Sequence, residues 1–149
     1  MRAAPLYQEA FSMTLHHSWA AVPPIHLVEP EADMISDLAW AARDRFPDVC
    51  QLLLEEVGRA SLCAPGELPD DVVAMGSDVT YRDARDGTAR RVRLVYPSHA
   101  DVALGRISIL TPVGAALIGM RVGASILWPD RDGHLRDIII DEVVQARAA

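Results

Sequence analysis

The run Ile107-Ser108-Ile109-Leu110-Thr111-Pro112-Val113-Gly114-Ala115-Ala116-Leu117-Ile118-Gly119 decides the fold. Ile107 and Ile109 flank Ser108 with the period of two of a short half-buried strand. Thr111-Pro112 then opens a helix, with threonine as N-cap and proline at the first helical position, where its missing N–H costs nothing. Val113 to Ile118 fill a short helix, and Gly119 or a residue near it ends it. A short strand that passes directly into a short apolar helix predicts a helix packed on a sheet.

Working outward, strands lie on both sides. Upstream, Val79 and Tyr81 alternate with polar neighbours, Arg85-Asp86-Gly87 marks a turn, and Val92, Leu94 and Tyr96 alternate with Arg91, Arg93 and Val95 until Pro97. That pattern is a hairpin with one buried face. Downstream, Ile126-Leu127-Trp128 reads as a strand, Pro129 to Gly133 as a turn, and Leu135 to Val144 as a final strand rich in β-branched residues. The apolar phase of these elements predicts a core containing Val92, Leu94, Ile107, Leu117, Ile126 and Trp128.

Before Val72 the period changes. Ile25 to Val28 reads as a short strand closed by Glu29-Pro30. Ile35, Leu38, Ala42 and Phe46 share one helix face, with Asp33 as the expected cap. Pro47 interrupts, and Val49, Leu52, Leu53 and Val57 form the face of a second helix with Asp48 at its N-terminus. Each helix spans about three to four turns. The expected architecture is α+β: a short antiparallel helical hairpin, coiled-coil in character, followed by an antiparallel sheet with one short helix. Its expected divisions are a loose extension over 1–23, strand and hairpin over 24–62, a linker over 63–71 with two prolines and a glycine, and the sheet domain over 72–149.

The net charge is −7, and it is unevenly placed. Residues 1–71 carry a net of −8 and residues 72–149 a net of +1, with arginine as the sole basic residue type apart from histidine. So acidic a chain argues against direct, tight binding to nucleic-acid phosphates. Nucleic-acid contact is expected only indirectly, through a protein partner. No window holds 18 apolar residues, and residues 1–24 lack the apolar stretch of a signal peptide, so no membrane partner and a cytoplasmic protein are expected. Cys50 and Cys63 form no CxxC and read as reduced, buried or half-buried thiols.

Phosphate-binding glycine loops, HExxH and GxSxG are absent, and the five histidines are scattered. No cofactor, no metal and no catalytic residue is expected, and the chain does not read as an enzyme. Two constellations remain. Asp44 and Asp48 flank the turn of the helical hairpin, where they could share a hard cation or meet a partner, or serve only as a solvated helix end and an N-cap. Arg82, Arg90, Arg91 and Arg93, with Arg85, concentrate positive charge on the strand hairpin, although Asp78, Asp83 and Asp86 dilute it; the patch is either a partner surface or the wet face of the sheet.

Read together, these residues carry a resemblance. Asp71-Val72-Val73-Ala74-Met75-Gly76-Ser77-Asp78-Val79-Thr80-Tyr81, then Arg93-Leu94-Val95-Tyr96-Pro97, Gly105-Arg106-Ile107-Ser108, Thr111 to Gly119, and Val122-Gly123 follow in order. This set resembles the C-terminal domain of the Gre transcript-cleavage factors and of Rnk, the regulator of nucleoside diphosphate kinase. The Leu-Val-Tyr-Pro and Pro-Val-Gly-Ala-Ala-Leu pieces, the short hairpin and the Cys-Ala-Pro-Gly-Glu-Leu-Pro linker look closer to Rnk. The resemblance implies an FKBP-like sheet domain and binding of core RNA polymerase at its secondary channel, without catalysis. It also implies that Leu110, Thr111 and Pro112 form the loop that meets the polymerase rim. Leu110 stands where some relatives carry an acid, and Ala124 where relatives carry Asp. The alternative is a Gre-like elongation factor that stimulates transcript cleavage through Asp44 and Asp48 at the tip. A third reading, prolyl isomerase activity, rests on fold analogy alone.

Overall fold

The computed structural model describes residues 23–129 and 132–146. The expectation placed on residues 1–22 lies outside them. The chain opens with strand β1 (His26–Val28) and passes at once into helix α1 (Glu29–Ala42). This helix begins four residues before Asp33, which therefore does not cap it; Val28 takes the cap position without a side-chain bond. The reason lies in the residues read as a strand terminator. Proline at the start of a helix loses no hydrogen bond, and Glu29 and Glu31 favour the positive end of the helix dipole.

A turn over residues 43–46 leads to helix α2 (Pro47–Arg59). Pro47 is its first residue and Phe46 its cap, so Asp48 lies inside the first turn and is not the N-cap. Phe46 sits in the turn, 40% exposed, rather than on the buried face of α1. The helices, of 14 and 13 residues, reach about 20 Å from their base. Among the described residues no helix is long and apolar enough to cross a membrane.

Strand β2 (Ser61–Cys63) follows α2 and pairs in parallel with β1, His26 opposite Ser61 and Val28 opposite Cys63. Cys63 thus belongs to a strand and not to the linker. Both cysteines are free, Cys50 buried in α2 and Cys63 half-buried.

The second sheet contains β3 (Asp78–Asp83), β4 (Ala89–Val95), β5 (Arg106–Ser108), β6 (Ser125–Pro129) and β7 (Leu135–Val144), in the order β5-β4-β3-β7-β6. Helix α3 (Pro112–Leu117) packs against it, between β5 and β6 in the chain. The α+β architecture, with a helical hairpin and a largely antiparallel sheet, is the one expected. One pair departs from it: β4 and β5 run parallel, because two short 3-10 turns at Pro97–His99 and Val102–Leu104 return the chain to the same end of the sheet. A register shift opposite Thr80 and Tyr81 leaves Asp141 as the extra residue of β7.

One hydrophobic core joins the helices and the sheet. Ile25, Leu27, Ile35 and Leu53 meet Leu94, Ile109, Leu117, Ile118 and Trp128 in the same buried cluster. Leu94, Leu117, Ile126 and Trp128 are buried as expected. Val92 and Ile107 are only half-buried and pack on the cluster's margin, because β4 lies next to the edge and β5 at it.

Candidate functional site: a groove between the hairpin turn and the helix-capping loop

The loop before α3 is built from its own side chains. The Thr111 hydroxyl donates to the Ser108 carbonyl at 2.7 Å, and its Oγ1 accepts the Gly114 N–H at 3.1 Å. The Leu110 N–H donates to Ser108 Oγ at 2.9 Å. Gly114 lets the loop fold so closely, since a Cβ there would collide with the Ser108 carbonyl. Leu110 is buried, while Thr111 and Pro112 are half-exposed.

This loop faces the turn of the helical hairpin across a groove of about 860 Å³. Leu110, Thr111 and Pro112 form part of one wall, with Pro97 and Pro129; Leu38, Phe46, Pro47, Val49 and Leu52 form the other. Arg45, Asp48 and Asp132 supply its charge. The groove is thus apolar at its sides with a few charged groups, the usual composition of a recognition surface.

The two tip acids line different depressions. Asp48 lines the groove, while Asp44 lies in a shallower depression of about 570 Å³ with Trp40, Arg43 and Pro47. Both acids are exposed, and among the described residues no three His, Cys, Asp or Glu side chains gather where they could hold a metal ion. The tip is instead rich in cation–aromatic pairs. The Arg43 guanidinium stands 5.2 Å from the Trp40 ring centroid and donates to the Trp40 carbonyl, and Arg45 stands 5.2 Å from the Phe46 ring. Trp40 is 55% exposed. Sequence reasoning missed Trp40, Arg43 and Arg45, although aromatic residues beside arginines at a helix turn are a legible sign of a contact surface.

The arginines of the strand hairpin are mostly engaged. Arg93 reaches Asp78 through two bonds, at 2.9 and 3.2 Å, and Arg91 approaches the same carboxylate at 3.6 Å. The Arg93 hydrogen bond holds the Asp78 carboxyl below its ordinary range; burial opposes it, and the charges of Arg93 and Arg91 add to the lowering. Arg82 pairs with the bulge residue Asp141 at 3.2 Å. Arg90 is exposed, opposite Tyr81 in the strand register. Arg82, Arg91 and Arg93 therefore lie on a charge-compensated face of the sheet, Arg90 lies on the opposite face with Tyr81, and none of the four lines the groove.

At the base of the hairpin the chain is clamped. Arg59 binds Glu56 at 2.9 and 2.7 Å and also donates to the Pro23 carbonyl at 2.6 Å, so Glu56, although buried, is paired. Glu31 in the first turn of α1 accepts the Met75 N–H at 3.1 Å. Burial pushes the Glu31 carboxyl up, and the Met75 hydrogen bond opposes that shift.

Residues 68–143 match the family described as transcription elongation factor, GreA/GreB, C-term. The chain is 45% identical over 106 residues to the regulator of nucleoside diphosphate kinase of Escherichia coli (strain K12), covering 71% of this chain and 78% of that protein. It is 35% identical over 82 residues to transcription elongation factor GreA of Syntrophobacter fumaroxidans, covering 55% of this chain and only 50% of that protein's length. A solved GreA/GreB elongation factor from Nitrosomonas europaea superposes with a TM-score of 0.64 at 34% identity, covering 80% of this chain and 98% of that one. The chain belongs to the family that joins the regulator of nucleoside diphosphate kinase to the C-terminal domain of the GreA/GreB transcription factors.

Proposed function

We propose that this chain regulates transcription by binding core RNA polymerase at the rim of its secondary channel, without catalysis of its own. The observation that carries this reading is the groove. It sets Leu110, Thr111 and Pro112, the loop that family resemblance assigns to the polymerase rim, opposite the turn of the helical hairpin. The loop is held rigid by the Thr111 and Ser108 bonds, so docking there requires little ordering. Nucleic acid is reached only through the polymerase, in keeping with the net charge of −7.

Transcript cleavage is not proposed. Stimulating it requires carboxylates that hold a metal at the polymerase centre. Asp44 and Asp48 line separate depressions, stand beside Arg43 and Arg45, and sit on an arm only about 20 Å long.

Displacement of a labelled Gre factor from core polymerase tests the reading. Competition is the expected result, and a chain that fails to compete at any attainable concentration would sink it. With a backtracked elongation complex and Mg²⁺, no release of short 3′ RNA is expected. Release that disappears in an Asp44→Ala, Asp48→Ala double variant would favour the cleavage factor instead.

A further inference from the structure

The two walls of the groove come from different parts of the chain. One is the hairpin around its turn, and the other is the sheet with the loop before α3. The groove's width therefore depends on the angle at which the hairpin leaves the sheet, and contacts at the hairpin's base bear on that angle beside the shared core. There the His26 N–H donates to the Gly119 carbonyl at 3.0 Å, and Gly119 approaches Ile25 so closely that a Cβ on it would lie 2.9 Å from the Ile25 Cβ. Beside this contact, the Glu31 carboxylate reaches a backbone N–H 44 residues away. The Met75 segment it grips is itself fixed. Gly76 N–H donates to the Leu94 carbonyl at 2.7 Å, Val73 N–H to the Met120 carbonyl at 2.8 Å, and Ala74 N–H to Ser77 Oγ at 3.0 Å. A side chain of α1 is thus anchored to the frame of the sheet.

We propose that Glu31 is a positioning residue: by holding the Met75 N–H it fixes the angle of the helical hairpin and so the width of the groove that receives the partner. A half-buried carboxyl that gives up its backbone donor is left unsatisfied, so this bond is costly to break, and a small angular change at the base is multiplied along an arm of about 20 Å. Glu31 is not among the groove's lining residues, so its effect on the partner is indirect. The link to the partner rests on the docking reading above; the control of the angle does not.

The test needs no polymerase in its first arm. Spin labels on Asp44→Cys at the turn and Ser125→Cys on β6, in a Cys63→Ser background, report the turn-to-sheet distance. One narrow distance distribution is expected for the wild-type position 31 and for Glu31→Gln, which keeps an acceptor. A broadened or shifted distribution is expected for Glu31→Ala, together with several-fold weaker competition against the Gre factor. A folded Glu31→Ala chain with an unchanged distribution overturns the positioning role, whatever the polymerase result. Should Glu31→Ala fail to fold, amide hydrogen exchange of the unmodified chain decides: slow exchange at Met75 supports the clamp, and exchange as fast as an open loop refutes it. Wild type that shows the narrow distribution yet never competes overturns the docking reading alone.

Discussion

At Glu31 the effect of burial exceeds that of the hydrogen bond, so the folded chain holds this proton more tightly than the unfolded chain does. The group facing it is Tyr96, whose phenol is pushed up by burial and then by the Glu31 charge. A raised carboxyl contributes stability that is complete below its ordinary value of 4.5 and is lost as pH rises through the folded value. Glu31→Gln removes that loss. Its gain over wild type, read from urea midpoints, is expected to be larger near about pH 7 than near about pH 4; an equal gain at both would contradict the assignment. Asp78 has the opposite sign. Its carboxyl is held down by Arg93, so its contribution is present above the ordinary 3.8 and lost as pH falls through the lowered value. The capping role of Thr111 was legible because Thr-Pro before an apolar run has one physical reading. Thr111→Ala is expected to cost about 0.5–2 kcal/mol in urea denaturation. Gly114→Ala is expected to cost about 1–3 kcal/mol, because its methyl meets backbone that cannot turn aside. The need for glycine at that position could not be read from the sequence, since it arises from the loop's closure on Ser108.

Among the elements, α3 and β7 were legible to the residue or nearly so, as an N-cap with proline at the next position and as a β-branched run. Leu117 is fully buried in α3, and Leu117→Ala is expected to lower stability by about 2–5 kcal/mol. A loss under about 0.5 kcal/mol would place that side chain at the surface. The start of α1 is not legible in the sequence, because Glu29-Pro30 reads equally well as the end of a strand or the first turn of a helix, and here it is the latter. Asp48 favours the dipole of α2 from its first turn, as its place in the sequence suggests, but it cannot cap the helix, because Phe46 holds that position and Pro47 is already the first helical residue. Asp48→Ala is therefore expected to cost only about 0.3–1 kcal/mol, the value of a carboxylate near a helix dipole, and a loss near about 2 kcal/mol would restore the capping role. Strand β2 escaped notice for another reason. Ser61-Leu62-Cys63 has no pattern of its own and becomes a strand only through pairing with β1, 35 positions earlier in register.

At the level of the whole molecule, the groove could not be read from the sequence. Its walls join residues near Leu38 and Phe46 to residues near Pro112, and only the packing of the hairpin base on the sheet brings them together. Each wall nonetheless carries one feature visible in the sequence, the Thr-Pro loop on one and Asp48 on the other, while Asp44 lies outside the groove. The arginines of β3 and β4 are equally visible, but the neutralisation of Arg82, Arg91 and Arg93 by Asp141 and Asp78 depends on strand register and on a bulge. The parallel pairing of β1 with β2 has one more consequence. It stitches the two feet of the helical hairpin side by side, His26 against Ser61, so everything beyond the feet is an insert whose ends are already joined. Such an insert can change length without disturbing what lies beneath it. Adding seven residues to each helix beside the turn would carry the tip about 10 Å further out, over an unaltered sheet. The reach of this chain is in that sense a modular trait, free to vary between relatives while the fold beneath it stays the same.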